Sequence, residues 1–525
     1  MLAVAVCALA AAAPAPAATA SENLPPPIPR GRALTALAEH PSVLLAVEPG
    51  SAAERLVAGQ GGTLVSRDLG IWKVGGGASA RLVPELDRRG LLRYAEPSHN
   101  RLLLGHLDEG DPLLDQAWFI DRVGAAGVEP PGPGVSVTLI DTGLDVEHPD
   151  FVGRPNLTLL NTQSHIAFTD EYYHGTIVAS TVGAAANGVG TVGIYPTAAM
   201  RIFKLRSLND PDIIAALDSA ARGDVVNLSI GGPGYSRSLY EGIMRAVDRG
   251  ALVVAAGGNH FGVGNPDIYP ADYPHVITVA ATDQANQPLF FSSGNPAVDL
   301  AAPGAAIPVQ DPLNPDNFAL VDGTSFAAPI VSGIAAWVWT SRPDLDRSQV
   351  FALLRETADD IGKPGFDTRT GNGLVNLPAA LAAKAPVPDP GEPNDDVDLI
   401  TGKVLAQGDP ALTSADRGTA TVQARLDAIE DPSDVYRVFV PARKTVVVTV
   451  TPDSPVDVFL WKQKTLSVLG KRSNRLAAGT KPGSQTETLV FRNASSRGIT
   501  PFVELRIPGG GGGDSAGYTL RVKTR

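Results

Sequence analysis

VSVTLIDTGLDVEHPDF, residues 135–151, decides how the chain is to be read. An apolar, β-branched run ends abruptly in Asp141-Thr142-Gly143. A run of that kind reads as a buried strand, and the aspartate stands at its carboxyl end. Two chemistries use an acid there. A pair of such aspartates can share one proton and activate water. A single one can orient a histidine that in turn activates a serine. The bland alternative is an aspartate that caps a turn. The paired reading needs a second Asp-Thr/Ser-Gly element, and the sequence holds only this one.

Two further stretches remove the isolation of Asp141. YHGTIVAS, at 173–180, places His174 at the start of an apolar helix. DGTSFAAPIVSG, at 322–333, places Ser325 at the start of another. Free N–H groups and the helix dipole favour negative charge at such a helix start. Gly323 permits a tight turn before it, and Pro329 falls in the first turn, where its missing N–H costs little. A serine hydroxyl is a poor nucleophile until a base takes its proton. A histidine, neutral near pH 7, suits that task.

The strand and helix runs around these motifs alternate. Strands are expected at VSVTLI, AAMRIFKL, DVVNLSI, ALVVAAG and HVITVAA. Helices are expected at HGTIVASTVGAAA, DIIAALDSAARG, SLYEGIMRAVDRG and SFAAPIVSGIAAWVW. Near-continuous apolar strands between helices imply an α/β domain, a parallel sheet covered on both faces, over 111–382. Sites in such sheets form at the carboxyl ends of strands. Before it, 41–110 read as a small α+β unit: SVLLAVEP, SAAERLVAGQG, TLVSRDLGIWKV, ARLVPELDRRG and LLRYAEP give strand, helix, strand, helix, strand. After a linker at 383–391, residues 392–525 carry short alternating runs such as KTVVVTV and VDVFLW, the pattern of an all-β sandwich. The pentaglycine at 509–513 reads as a flexible turn or hairpin loop.

The first 20 residues are apolar or small and end in Ala18-Thr19-Ala20, a secretory signal that lacks the usual leading Lys or Arg. A Pro-rich spacer covers 21–40. Cys7, the only cysteine, lies inside the signal, so the exported chain is expected to contain no disulfide. No later 18-residue apolar run predicts a membrane span. A net charge of −12 and a pI of about 5.2 speak against nucleic acid or anionic membrane as a main partner. The location expected is extracellular or periplasmic.

The order Asp141, His174, Ser325, with VTLIDTG, HGTIVA and GTSFAAP around them, resembles the subtilisin-like serine proteases, the subtilases, over roughly 111–382. The resemblance implies a secreted serine endopeptidase made as a zymogen, acting on proteins through an acyl-enzyme, with no catalytic cofactor and as a monomer. It implies Asn259, in ALVVAAGGNHFG, as oxyanion donor. It implies strand pairing of substrate with Ser229, Ile230 and Gly231, and Ile268 as floor of the pocket for the residue before the cut bond. Gly264 is the competing floor residue, and Asp267 is expected to point outward. The loop AAANGVGTVGIYP at 184–196 resembles a calcium loop, with Asp150 and Asn187 as ligands. His148 reads as structural. Residues 41–110 resemble an inhibitory propeptide, so the chain's own N-terminal unit is an expected partner. The last block, with GEPNDD, resembles the bacterial pre-peptidase C-terminal domain, and its Asp/Asn-rich turns read as solvated in preference to metal-binding.

Three positions depart from the family pattern: Tyr173 stands where glycine is usual, Ile177 where a second histidine is often found, and Phe326 where methionine is frequent. A non-catalytic binding protein on the same fold is the main rival. An α/β-hydrolase esterase needs G-x-S-x-G and the order Ser, acid, His, and neither is present.

Overall fold

The computed structural model describes residues 42–98, 102–103, 106–108, 117–161, 173–186, 190–219, 223–310, 318–405, 407–509 and 514–525. The expected signal and Pro-rich spacer lie outside them, as does Asn187. Among the described residues no helix is long and apolar enough to cross a membrane.

The N-terminal unit is a four-stranded antiparallel sheet, β1 (Ser42–Val47), β2 (Thr63–Ser66), β3 (Ile71–Gly75) and β4 (Leu92–Pro97), in the order β2-β3-β1-β4. Helices α1 (Ala52–Gly59) and α2 (Gly76–Arg88) connect the strands. One expectation needs correction. TLVSRDLGIWKV is a hairpin rather than one strand, because Arg67-Asp68-Leu69-Gly70 turns the chain and Gly70 takes φ +60. Two short pieces follow, β5 (Leu102–Leu103) and β6 (His106–Asp108).

The central domain is built on seven parallel strands: β7 (Val137–Asp141), β8 (Leu157–Leu159), β9 (Met200–Lys204), β10 (Val225–Leu228), β12 (Leu252–Ala256), β13 (Val276–Thr282) and β14 (Leu300–Pro303). Their order is β14-β13-β12-β10-β7-β9-β8. β8 and β14 were not expected. Both are short and lie at the sheet edges, where weak periodicity hides them. β10, β12 and β13 are buried at every position, the signature of a sheet covered on both faces. Helices α3 (His174–Gly183) and α6 (Thr324–Ser341) share the core on one face, while α4 (Asp210–Leu217) and α5 (Arg237–Asp248) pack on the other. A further helix, α7 (Arg347–Glu356), follows α6. α6 is buried from Thr324 to Trp339 and packs on β10, β12 and β13. A helix apolar all round can sit only inside a core.

Three short strands, β11 (Ile230–Gly231), β15 (Ile307–Gln310) and β16 (Phe318–Asp322), stand outside this sheet. β11 pairs with β5, and β16 pairs with β15 and β6. The chain just after the N-terminal unit therefore runs along two edges of the central domain.

The C-terminal domain has two four-stranded antiparallel sheets facing a shared core of Val446, Val448, Val458, Leu460, Val503 and Leu520, a β-sandwich. The glycine run joins strands of opposite sheets, so it is not a hairpin loop; residues 510–513 lie outside the described residues.

Candidate active site

Asp141 ends β7 and is 1% exposed. His174 opens α3, and its Nδ1 lies 2.8 Å from Asp141 Oδ1. The carboxylate can only accept, so Nδ1 carries the proton and Nε2 holds the lone pair. Thr142 N–H donates to the same Asp141 oxygen at 2.7 Å, and Thr142 Oγ1 accepts from Gly175 N at 2.9 Å. Asp-Thr-Gly and His-Gly-Thr thus lock to each other. Gly175 is required for this approach: a Cβ there would meet Gly143 O at 2.3 Å.

Tyr173, just before the histidine, has φ +57. That left-handed conformation suits glycine and costs an aromatic L-residue roughly 1 kcal/mol or more. The family's usual glycine has its physical reason here, and this chain does without it. Phe326, 1% exposed, lies with its ring 6.0 Å from that of His174. Ile177 is buried in the core. Phe326 fills space beside the imidazole.

Ser325 is fully buried in the first turn of α6. Its hydroxyl donates to Ser229 O at 3.1 Å, and Ser229 Oγ donates back to Ser325 O at 2.8 Å. Ser229 is itself placed by Asn227 Nδ2 at 3.0 Å, and Asn227 Oδ1 accepts from Ser332 Oγ on α6 at 2.9 Å. This buried polar chain ties β10 to α6 across the core. Sequence reading missed Asn227 and Ser332; the signal was there, a polar residue inside the apolar run DVVNLSI.

Asn259 follows the end of β12. Its Oδ1 accepts from Thr324 N at 3.1 Å and from Thr324 Oγ1 at 3.0 Å. A backbone N–H can only donate, so the oxygen must face Thr324, and Nδ2 is turned away from it. Thr324 Oγ1 also accepts from Gly258 N at 3.2 Å. Thr324 therefore sets the amide's orientation, a role the motif GTSFAAP carries without announcing it.

The pocket residues sit as follows. Ile268 is fully buried, and a Cβ on Gly258 would come within 2.7 Å of Ile268 Cγ1. It therefore packs directly beneath the segment that leads into Asn259. Gly264 is exposed with nothing near its Cβ position, so it is not the floor, and Asp267 is exposed.

Asp150 is 1% exposed. Burial pushes its carboxyl up to about 7. The Thr191 N–H acts against that rise, yet neither oxygen makes a well-aligned hydrogen bond. A Cβ on Gly190 would stand 2.2 Å from Asp150 Oδ1, so the carboxylate points at the 184–196 loop. His148 is buried, stacks on Phe151 at 5.6 Å and accepts from Asp150 N, a structural placement.

Comparison with known proteins agrees with this geometry. Residues 132–373 match the family model described as the subtilase family. Over 257 residues, 47% of this chain and 91% of the relative, the chain is 35% identical to subtilisin of Bacillus pumilus. It is 34% identical to subtilisin E of Bacillus subtilis (strain 168) across 66% of that protein's length. Fervidolysin of Fervidobacterium pennivorans is 32% identical over 363 residues, 56% of this chain and 51% of the relative. Its crystal structure, described as that of a keratinolytic enzyme related to subtilisin, superposes with a TM-score of 0.59 over 88% of this chain and 90% of its own, at 20% identity, which is a likeness of fold. A buried Asp–His pair, a serine at a helix start and a 35% identical relative matched over 91% of its own length converge: the chain belongs to the subtilase family of serine endopeptidases.

Proposed function

We propose that the protein is an exported endopeptidase made as a zymogen, with Asp141, His174 and Ser325 as its triad. The observation that carries this is the 2.8 Å contact of His174 Nδ1 with Asp141 at the carboxyl end of β7, next to β10, just past whose carboxyl end Ser229 O holds the Ser325 hydroxyl. His174 Nε2 takes the proton of Ser325 Oγ as the oxygen attacks a peptide carbonyl. Asp141 stabilises the imidazolium that results. The oxyanion that forms is met by Asn259 Nδ2 and by the Ser325 N–H at the start of α6. His174 then hands its proton to the leaving amine, and water repeats the cycle on the acyl-enzyme. Nucleophile, base and donors all come from the chain, so the reaction calls for no cofactor. In this structure the Ser325 hydroxyl rests on Ser229 O; a substrate amide donating to that carbonyl would free the hydroxyl to turn toward His174.

Substrate binds by adding a strand to β11. The support is the chain's own β5, which lies antiparallel there with Ile230 opposite Leu103 and Gly231 opposite Leu102. On the far side of Ser325, β6 pairs with β16, Asp322 opposite His106. Leu104 and Gly105, outside the described residues, join the two pairings. We therefore assign the processed bond to Leu104–Gly105 and read residues 41–104 as the inhibitory unit. The further divisions, a signal over 1–20 and a retained β-domain from 392, belong to the same proposal.

Asp150, with oxygens of the 184–196 loop, fits a structural calcium ion: a buried carboxylate without a firm donor is what a hard cation satisfies. Asn187 is proposed as its amide ligand.

A fluorophosphonate probe tests the reading. After processing it should label Ser325 and nothing in Ser325→Ala. A processed, folded wild-type chain that takes no label would favour the non-catalytic rival.

A further inference from the structure

Two loops, residues 258–263 and 289–293, meet beside Asn259 and expose apolar side chains. Among the described residues seven large apolar side chains stand exposed, and three of them, Phe261 at 42%, Val263 at 74% and Phe290 at 81%, lie on these loops. The other four, Val152, Val387, Leu466 and Val490, come from separate stretches. Single exposed apolar residues are ordinary, whereas a group of them marks a contact. The loops are tied to each other. Ser293 N donates to Gly258 O at 2.7 Å, His260 N to Ser293 Oγ at 3.1 Å and Phe261 N to Phe291 O at 3.0 Å. Phe290 stands edge-on to Phe291, ring centroids 5.0 Å apart. Arg369 lays its guanidinium on Phe261, 3.6 Å from the ring centroid, and donates to Leu289 O at 2.8 Å, so one cation holds both loops.

Backbone pairing places this patch relative to the cut bond. His106, the second residue past Leu104–Gly105, lies opposite Asp322. Gly323, next in the chain, donates to Gly304 O at 2.8 Å, Gly304 donates to Thr282 O at 2.9 Å, and Thr282 pairs with Pro288, two residues before Phe290. Four such steps of about 4.8 Å span at most about 20 Å, which about six extended residues cover. A chain leaving the cleft past the cut can therefore reach the patch. Its size decides against a free-standing partner. Two partly exposed phenylalanines and a valine offer roughly 300–400 Å². A stable interface between separate proteins needs roughly 800 Å² per side. The patch suffices for a chain already held at the cleft, whose second contact is intramolecular.

We propose that Phe261, Val263 and Phe290 form an accessory binding site for apolar and aromatic residues of a protein substrate, on the leaving side of the cut and beyond the residues that strand pairing holds. The site, which rests on the endopeptidase reading, adds a preference that a short substrate does not reveal. Apolar side chains that leave water there tighten the bound substrate without touching the reacting atoms, so the gain falls on KM. Aromatic ones add edge-to-face contact with Phe290. Such stretches are covered in folded proteins, so the site favours unfolded chains.

The test uses the full chain after processing. Two quenched fluorogenic peptides share every residue through a Leu before the cut. They differ only from about the third to about the eighth residue past it, apolar and aromatic in one, serine and asparagine in the other. A Leu p-nitroanilide, which has no residues past the cut, is the control. Expected is a preference of about tenfold in kcat/KM for the apolar tail, carried by KM. Phe290→Ser together with Val263→Ser should bring that tail to within about twofold of the polar one and leave the p-nitroanilide rate unchanged. Both side chains are exposed, so neither supports the core. Wild type that treats the two tails alike while cleaving the p-nitroanilide would overturn the accessory site and leave the endopeptidase reading standing. Wild type inert on all three substrates would sink that reading, and the site with it. A tail preference that survives in the double variant would place the binding elsewhere and overturn the assignment. So would an equal loss on the p-nitroanilide and the apolar tail, which would mean a disturbed Asn259 segment. A processed chain that runs as a dimer in gel filtration, split by Phe290→Ser, would give the patch to a second copy and overturn it as well.

Discussion

The N-terminal unit and the C-terminal domain both rest on the catalytic domain, and their seams are made differently. At the N-terminal seam each acid meets its donors. Glu96 accepts from Ser236 Oγ at 2.9 Å, from Ser238 N at 2.5 Å and from Arg237 N, at the start of α5. Glu241 of α5 accepts from Arg93 and from Tyr94 OH, both at 2.9 Å. Ser66 donates to Asp218 and Asp68 pairs with Arg245. Beneath these contacts Leu44, Leu69, Ile71 and Tyr94 share a core with α4 and α5. The C-terminal seam has Arg355–Asp427, Arg425–Glu356 and Arg237–Asp398 pairs but carries acids well beyond its bases. At the first seam each of these acids has a donor. The second leaves both oxygens of Asp431 and one of Asp434 without a hydrogen bond. That difference fits the proposal of an N-terminal unit that is cut away and a C-terminal domain that is retained. α5 touches both: Arg237 bonds Asp398 of the C-terminal domain, and Glu241 accepts from Arg93 and Tyr94 of the N-terminal unit.

The comparison breaks first on Ser325. Ser325→Ala should leave the N-terminal unit covalently attached and lower turnover by about 10⁶, the loss found when the subtilisin nucleophile is removed. The readouts are the mass of the purified chain and casein digestion. A Ser325→Ala chain that is still cut after Leu104 when produced alone would detach the zymogen reading from this site.

Asn259→Ala should cost about 10²–10³ in kcat, as for an oxyanion donor in subtilisin. Thr324→Val sharpens the point. It removes the hydroxyl that bonds Asn259 Oδ1 yet leaves the Thr324 N–H in place, so kcat should fall with KM nearly unchanged. Losses below about threefold in Asn259→Ala would mean that another group faces the oxyanion.

Much of the site was legible because its residues sit in short motifs at forced places: a strand end for Asp141 and helix starts for His174 and Ser325. The parallel sheet was legible from its apolar runs, apart from two edge strands too short to show a period. What stayed hidden was long-range. Nothing in GEPNDD says whether its acids face water, and they were read as solvated turns; Asp395 and Asn394 are 1% exposed. Asp395 meets His275, more than a hundred residues earlier, and Asn394 accepts from Val435 N, some forty residues later. The same holds for Glu96, whose partners lie on α5, and for the Asn227–Ser229–Ser332 chain that seats the nucleophile.

The N-terminal seam should respond to pH through Glu96. Burial, the largest influence, pushes its carboxyl up to about 7 from an ordinary 4.5, against the hydrogen bonds from Ser238, Ser236 and Arg237 that favour ionisation. An acid whose pKa rises on docking holds its proton more tightly when docked. Its contribution to docking is therefore full below about pH 4.5 and lost as pH rises through about 7. The shift bounds the effect at about two orders of magnitude in affinity. The cut but undissociated complex should release its N-terminal unit faster at pH 8 than at pH 5.5, measured by gel filtration over time. Glu96→Gln should flatten that slope. Faster release at the acid end in wild type, absent in Glu96→Gln, would show that the helix-start donors outweigh burial.

The smallest effect concerns what fits ahead of the cut bond. With Leu104–Gly105 as the proposed processed bond, the residue ahead of the cut is Leu104. Ile268, fully buried against Gly258, stands where a larger ring would need room. Asp267 faces outward and brings no charge to the floor. Small and medium apolar residues, Ala, Val and Leu, should therefore be cleaved in preference to Phe, Tyr, Lys and Arg. Misfit of one or two methylenes is worth about 1–3 kcal/mol, or about 10–200-fold in kcat/KM. Ile268→Gly should raise cleavage of a Phe p-nitroanilide about tenfold and leave the Leu substrate little changed. The cost is a cavity under Asn259, so melting should drop by an amount typical of a lost core side chain, about 2–5 kcal/mol. The two readouts separate two ideas. A stability loss without any gain on Phe would make Ile268 core and not floor. Wild type that already prefers Phe tenfold over Leu would show the pocket open, and Leu104 a poor guide to it.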